Sequence, residues 1–486
     1  MANNLSTAGQ SASVSTPTAT DLAKRYKERR DDRYALHDLL VKVSTLPRVK
    51  TCHRRPHEAY VTGKSTGPVA GFGGLQTCGS VWSCSLCAPT VRQTRAAELE
   101  AMAQLWVTSK KDGGMGGSLC MATFTVSHYL HQRLSDQWAA ISKAWTAMIS
   151  GRFKEEFYEK YQVAGMTIAR EVTVGDEHGW HTHLHVLIWF RNTKPSKPNK
   201  RKGETVAPDA KRARDLERVL YKRWHDQTTR LGLGAPSRAH GVRVDPIRRG
   251  KAGAADIARY VAKVQDKRED ANAQEVKRHE WGIGREMTRG DLKSAGRRGD
   301  ARERIPVLRR HRTPFQVLRD FNTTGEANDL ELWNEFEQAS LRKRALTWSG
   351  TVRGELKDLM ALDERTDEEI AAEDALGGEV VWAMPKRVWA QVVCQDGRRG
   401  ALLQATSEGW TAVVQLAESW GLVVGRDLFA EKPQRPERPA DQDESAFDQD
   451  EPGWATPPCP DWDEDGLPLP EEPAWLDEPE PEPDWN

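Results

Sequence analysis

Residues 163–190 read VAGMTIAREVTVGDEHGWHTHLHVLIWF. Two apolar-rich runs, 163–174 and 179–190, flank GDEHG, and turn residues between such runs predict a β-hairpin. Side chains alternate between the faces of a strand, so His181, His183 and His185 share one face. With the turn centred on Glu177, Val174 faces Trp180, and counting outward sets Glu171 opposite His183. Facing side chains in a sheet lie roughly 4.5–5.5 Å apart at Cβ, close enough to share an ion. Neutral imidazoles beside a carboxylate suit a metal site, the alternative being a solvated polar face. A mixed set with open positions fits Mg²⁺ or Mn²⁺ holding a substrate oxygen better than a closed zinc site. Glu171, His183 and His185 are therefore the candidate ligands, with His181 as an uncommitted third imidazole.

The flanking sequence continues the pattern. LCMATFTVSH (119–128) reads as a buried strand, and LSDQWAAISKAWTAMI (134–149) as an amphipathic helix with apolar residues three and four apart. After the hairpin come a basic loop, RNTKPSKPNKRKG, a helix around 208–231, a short strand in HGVRVDPI (240–247) and a helix in AADIARYVAKV (254–264). The order β-α-β-β-α-β predicts an α+β, ferredoxin-like antiparallel sheet with helices packed on one face. On the last of these helices Asp256, Tyr260 and Lys263 are four and three apart and share a face. A phenol with a lysine to hold charge and a carboxylate to take a proton forms a nucleophilic unit, although charges at this spacing also form ordinary surface pairs.

Formal charge is zero over 486 residues, but its distribution is uneven. Residues 431–486 hold 19 acidic and 3 basic residues, a balance of −16, which leaves 68 basic and 52 acidic on residues 1–430, or +16. A basic body with an acidic tail points to a polyanionic partner, most often nucleic acid. The polar, Ser- and Thr-rich start and the Pro-, Asp- and Glu-rich end are expected to be partly disordered. No apolar run approaches the ~18 residues of a membrane span, and no charged-then-apolar signal opens the chain, so no membrane partner and a cytosolic location are expected.

Seven cysteines, clustered rather than spread, argue against a disulfide framework. Cys84 and Cys87 form a C-x-x-C pair, Cys78 lies just before them, and Cys52 lies 26 residues before Cys78. Four thiols of this kind can close a tetrahedral zinc site, with His53 or His57 able to replace one, or they can be free thiols in a reduced cytosol. Cys120, Cys394 and Cys459 are isolated and carry no metal in this reading.

FTVSH, HTHLHVLI and YVAK, in that order, resemble the three motifs of rolling-circle replication initiators of the HUH endonuclease superfamily. The likeness is closest to the single-tyrosine plasmid Rep proteins and spans residues 45–350, including CGSVWSCSLCA (78–88) and ALTWSG (345–350). It implies a bacterial cytoplasmic nickase that cuts one strand at the plasmid's double-strand origin. His183 and His185 would then be the HUH metal ligands and Tyr260 the nucleophile, which stays joined to the 5′ end while the 3′ hydroxyl primes synthesis. The plasmid group places a glutamate four residues before the tyrosine to activate water, and here the shorter Asp256 stands there.

The partners so implied are origin DNA, double- and single-stranded, together with a host helicase and polymerase. Arg191, Lys194, Lys197, Lys200, Arg201 and Lys202 of the loop after the histidine strand, and Arg297 and Arg298, are the candidate DNA-phosphate contacts. The expected divisions are a polar segment 1–44, a Cys-rich zinc-binding segment 45–110, a nicking domain 115–270, a basic extension 271–350, a small unit 378–430 and the acidic tail 431–486. Conjugative relaxases place the tyrosine before the histidines and single-tyrosine transposases are smaller, which leaves both behind the Rep reading. A non-catalytic nucleic-acid binder is disfavoured by the clustered histidines and the lack of an aromatic RNA-binding run.

Overall fold

The computed structural model describes residues 19–66, 69–191, 208–247, 312–362, 364–372 and 378–431. In chain order the strands are β1 (Tyr60–Thr66), β2 (Val69–Gly73), β3 (Ser118–Thr125), β4 (Val163–Gly175), β5 (Gly179–Phe190), β6 (Val242–Ile247), β7 (Leu346–Gly350) and β8 (Glu379–Pro385). The helices are α1 (Ala19–Val43), α2 (Pro47–Thr51), α3 (Cys87–Val107), α4 (Leu134–Met148), α5 (Gly151–Tyr161), α6 (Pro208–Arg230) and α7 (Pro314–Thr324). They continue with α8 (Ala327–Ser340), α9 (Val352–Met360), α10 (Asp367–Ala372), α11 (Lys386–Val393), α12 (Arg398–Glu408) and α13 (Trp410–Ser419). The fold is α+β with antiparallel sheets, and the described residues form two compact units. Residues 19–35, 58–66, 69–74 and 378–431 belong to the smaller, and the rest to the larger.

The larger unit is built on a five-stranded sheet of order β6-β3-β5-β4-β7, in which every pair is antiparallel. β4 and β5 form the hairpin the sequence predicts, with Gly175 paired to Gly179, Val174 to Trp180 and Glu171 to His183. Gly179 closes the turn at φ +67°, a conformation open to glycine and costly for other residues.

One sheet face is largely apolar, with Arg170 and Thr182 as its buried polar members. Leu134, Trp138, Ile141, Trp145 and Met148 of α4, spaced four and three apart, are buried, as are Leu216, Leu220 and Trp224 of α6. Phe124 of β3 sits between the two helices, its ring centroid 5.3 Å from both Trp145 and Trp224 in edge-on contacts. The Trp224 indole keeps its polar handle satisfied by donating to the Thr125 carbonyl at 2.8 Å.

The opposite face is divided. Leu119, Leu187, Trp189 and Ala169 are buried under α3 and α9, in a cluster with Trp106, Val352 and Leu356. Its other end carries the histidines. The expectation of helices on one face alone is therefore corrected: α3 and α9 cover half of the second face because Leu187 and Trp189 continue the histidine register as apolar residues and must be buried.

Other elements were not read from the sequence. α5 follows α4 directly, and β7 adds an edge strand beside β4, with Gly165 paired to Gly350. The basic stretch VLRRHR ends in Arg312, whose guanidinium is buried rather than offered to a polyanion. It reaches Asp329 at 2.8 Å, Asp176 at 3.2 Å and Asp320 at 3.3 Å, while its backbone pairs with Val174. Arg312 thus ties the hairpin turn to α7 and α8.

In the smaller unit β1 pairs with both β2 and β8. Trp382 lies over Gly63, where any Cβ would sit 2.0 Å from the indole nitrogen, and Phe72 packs 6.0 Å from Trp382 and 4.9 Å from Trp389. β8, α11, α12 and α13 fall within the residues 378–430 that the sequence sets apart as a small unit.

Replacing Phe124 with Ala removes the ring that joins α4 and α6 to the sheet. The change is expected to destabilise the larger unit by about 3–5 kcal/mol, seen as a lower urea midpoint. A loss under about 1 kcal/mol would show that this contact is not central to the core.

Candidate functional site

β4 and β5 bring Glu171, His183 and His185 to one point. Glu171 Oε2 is 2.9 Å from His183 Nε2 and 2.6 Å from His185 Nε2, and the three ligand atoms all lie within 4.8 Å of one another. Adjacent ligands of an octahedral ion at about 2.1 Å stand about 3 Å apart, so these spacings fit one divalent ion. The same spacings also serve hydrogen bonds from the two imidazoles to the carboxylate when no ion is bound.

The surroundings favour ligation. His185 Nδ1 lies 3.1 Å from Thr123 Oγ1; donation from Nδ1 to that hydroxyl would fix the tautomer in which Nε2 exchanges its hydrogen bond to Glu171 for a metal. Among the described residues His183 Nδ1 is buried with no hydrogen-bond partner, and the ring meets Glu171 through Nε2. Burial pushes the Glu171 carboxyl up, but the facing His183, with hydrogen bonds from His183 and His185, holds it well below the usual carboxylate range. The site therefore presents an anion and two imidazoles at the edge of an apolar layer. Thr125 and Thr123 of β3, paired with His183 and His185, complete its polar lining.

His181 stands apart from this trio. It pairs with Thr173 across the hairpin and stacks on His128, with centroids 4.5 Å apart and planes at 18°. The imidazoles form a row, His128, His181, His183 and His185, the last two steps being 5.2 Å and 4.8 Å. His128 and Thr123 were not singled out from sequence. The signal for Thr123 was present, since polar Thr123 and Thr125 alternate with apolar Ala122, Phe124 and Val126 and so face the histidines.

A second cluster lies in the Cys-rich segment. Cys52, Cys78, Cys84 and Cys87 are buried and unbridged, and their sulfurs lie within 4.8 Å of one another. Sγ separations of 3.4 Å (Cys52–Cys87), 3.6 Å (Cys52–Cys84) and 3.8 Å (Cys78–Cys87) are far longer than the ~2.05 Å of a disulfide. They are close to the ~3.75 Å edge of a tetrahedron of thiolates around zinc at ~2.3 Å. Backbone amides point at the sulfurs, Cys87 N to Cys84 Sγ and Cys78 N to Cys52 Sγ, both at 3.4 Å. Four cysteines complete the set, so neither the exposed His57 nor His53 is needed in it.

Several residues expected at the site lie outside the described residues: Tyr260, Asp256 and Lys263, and the DNA-contact candidates Lys194, Lys197, Lys200, Arg201, Lys202, Arg297 and Arg298. Cys459 does too. Arg191 is described and is already engaged: it pairs with Glu355, donates to Thr351 Oγ1 at 3.3 Å and lies 5.8 Å over the Trp106 ring.

No family model matches the chain, and no solved structure matches it. Among curated proteins, the chain is 26% identical over 387 residues to "Protein rep" of Streptomyces lividans, covering 71% of this chain and 74% of that protein. It is also 26% identical over 191 residues to "Neomycin resistance protein" of Streptomyces cyanogenus, covering 34% of this chain and 40% of that protein. The first similarity bears out the resemblance to a plasmid replication initiator.

If the four sulfurs hold zinc, the chain purified without chelator is expected to carry about one zinc per chain by elemental analysis. Cys84→Ser should lower both that content and the thermal midpoint. Full-length folded protein containing no zinc would remove this assignment.

Proposed function

We propose that the chain initiates rolling-circle replication of a plasmid by nicking one strand at its double-strand origin. The observation that carries this reading is the convergence of Glu171, His183 and His185 on adjacent central strands. Three further features support it: the similarity to "Protein rep", the order of the sequence motifs, and the strand order β6-β3-β5-β4, which is that of a ferredoxin-like β-α-β-β-α-β sheet.

Glu171, His183 and His185 would hold Mg²⁺ or Mn²⁺, and a bound ion would polarise the scissile phosphate. Tyr260 gives up its phenolic proton to solvent water and its oxygen forms a bond to phosphorus. The bond from phosphorus to the 3′ oxygen breaks, and that oxygen takes a proton to become the 3′ hydroxyl that primes synthesis. The 5′ end stays on Tyr260 as a phosphotyrosine. Lys263 offsets charge on the phosphate or the phenolate. Asp256 accepts a proton from the water or hydroxyl that later releases the 5′ end.

Thr123 acts through His185 by orienting its ring. The four-cysteine cluster, with zinc, would fix the segment that leads into α3 and so into the apolar half of the histidine face. The partners of this activity are origin DNA in duplex and single-stranded form, with a host helicase and polymerase extending the 3′ end.

Incubation with supercoiled plasmid bearing the cognate origin and Mn²⁺ or Mg²⁺ should give relaxed circles carrying protein on a 5′ end. Tyr260→Phe is expected to abolish cleavage, and nicking at the wild-type rate would show that the nucleophile is another residue. His183→Ala with His185→Ala should lower cleavage by about a thousandfold, the equivalent of several kcal/mol of lost charge stabilisation, while duplex binding persists. Unchanged cleavage in the double variant would remove the metal site from the mechanism.

A further inference from the structure

The loop between β3 and α4 leaves two large apolar side chains in water: Tyr129 is 61% exposed and Leu130 47% exposed. The loop that carries them is held on both sides. Tyr129 N donates to Gln132 Oε1 at 3.0 Å, Gln132 N donates back to the Tyr129 carbonyl at 3.1 Å, and Ser127 Oγ donates to the Ala235 carbonyl at 3.3 Å. On one flank, a Cβ on Gly179 would stand 2.7 Å from the Leu130 carbonyl oxygen. On the other, a Cβ on Gly234 would stand 3.5 Å from the Tyr129 hydroxyl. The tyrosine is thus set against the loop around Gly234 by its hydroxyl end, with much of the ring left to solvent.

Its position matters as much as its exposure. Tyr129 follows His128 directly, and His128 is the outer end of the imidazole row that leads through His181 to His183 and His185. Exposed His131 and Arg133 lie in the same loop, so the aromatic ring has cationic or protonatable neighbours. A single nucleic-acid strand offers the complement of this arrangement, flat apolar bases on a polyanionic backbone. A buried protein partner would call for a wider apolar surface than two side chains.

We infer that Tyr129 is a stacking platform for an unpaired base of the strand whose phosphate would be bound through the ion at Glu171, His183 and His185. This rests on the reading of the chain as an origin nickase and adds to it a positioning residue for single-stranded DNA. The ring face carries the interaction, and the hydroxyl is not required.

The test measures binding of the full chain, in buffer with Mg²⁺ and no chelator, to a fluorescein-labelled single-stranded oligothymidylate, which lacks the origin sequence, and to an abasic strand of equal length. The wild type should bind the base-bearing strand more tightly than the abasic one. Tyr129→Ala should weaken oligothymidylate binding by about fivefold to a hundredfold and erase that preference, with the thermal midpoint and abasic binding unchanged. Tyr129→Phe should bind within about twofold of the wild type. Equal binding of the two probes by the wild type, or undiminished oligothymidylate binding by Tyr129→Ala, would overturn the proposal. A loss in Tyr129→Phe as large as in Tyr129→Ala would also overturn it, by assigning the role to the hydroxyl. Failure of the nicking reading would appear separately, as absent cleavage of origin plasmid by a wild-type chain that retains base-dependent binding.

Discussion

Val174 pairs with Trp180 across a turn from Gly175 to Gly179, and that pairing decides which residues of two long strands face one another. Because side chains alternate with a period of two, a slip of one residue would send all three histidines into the apolar layer under α4 and α6. It would also turn Leu184 and Val186 toward the polar end. The register is held by more than the ladder: Gly179 takes the positive φ the turn needs, and Arg312 pairs its backbone with Val174. The guanidinium of Arg312 adds Asp176 of the turn to Asp320 and Asp329 of α7 and α8. A buried arginine surrounded by three carboxylates is a weak source of net stability but is costly to break on one side, which suits a device that fixes geometry.

The two sheet faces divide the work. Phe124, Trp145 and Trp224 make one face a packed core for α4 and α6. On the other, α3 and α9 close over Leu187 and Trp189 and stop short of His185, so the same strand runs from dry core to polar site within two residues. His185 is at that border, with Thr123 on one ring nitrogen and Glu171 on the other. Burial at this border limits the ways the ligand side chains can move, and the carboxylate remains ionised because both imidazoles face it.

The hairpin was legible because its signals are local. Alternation, turn glycines and a count outward from Glu177 were enough to place Glu171 opposite His183. The four cysteines were legible because their clustering in a short segment is a chemical signature that needs no fold. β7, α7 and α8 were not legible, since a short edge strand and two helices inside a basic stretch carry weak patterns and owe their place to contacts with β4 and the turn. Arg312 illustrates the limit: as sequence it is one more cation in VLRRHR, and only its three distant carboxylates make it a buried tie.

The sequence by itself determined the α+β order of elements, the hairpin and the chemical content of two clusters, because period-two alternation and residue type act over a few positions. Tertiary structure decided the rest. It brought Cys52 to sulfurs 26 to 35 residues away, set Thr123 beside His185 across a strand pair 62 residues apart, and laid His128 on His181. It also left Tyr129 in water at the end of that row. Such contacts follow from how layers pack, and packing depends on surfaces that are assembled only when distant segments meet.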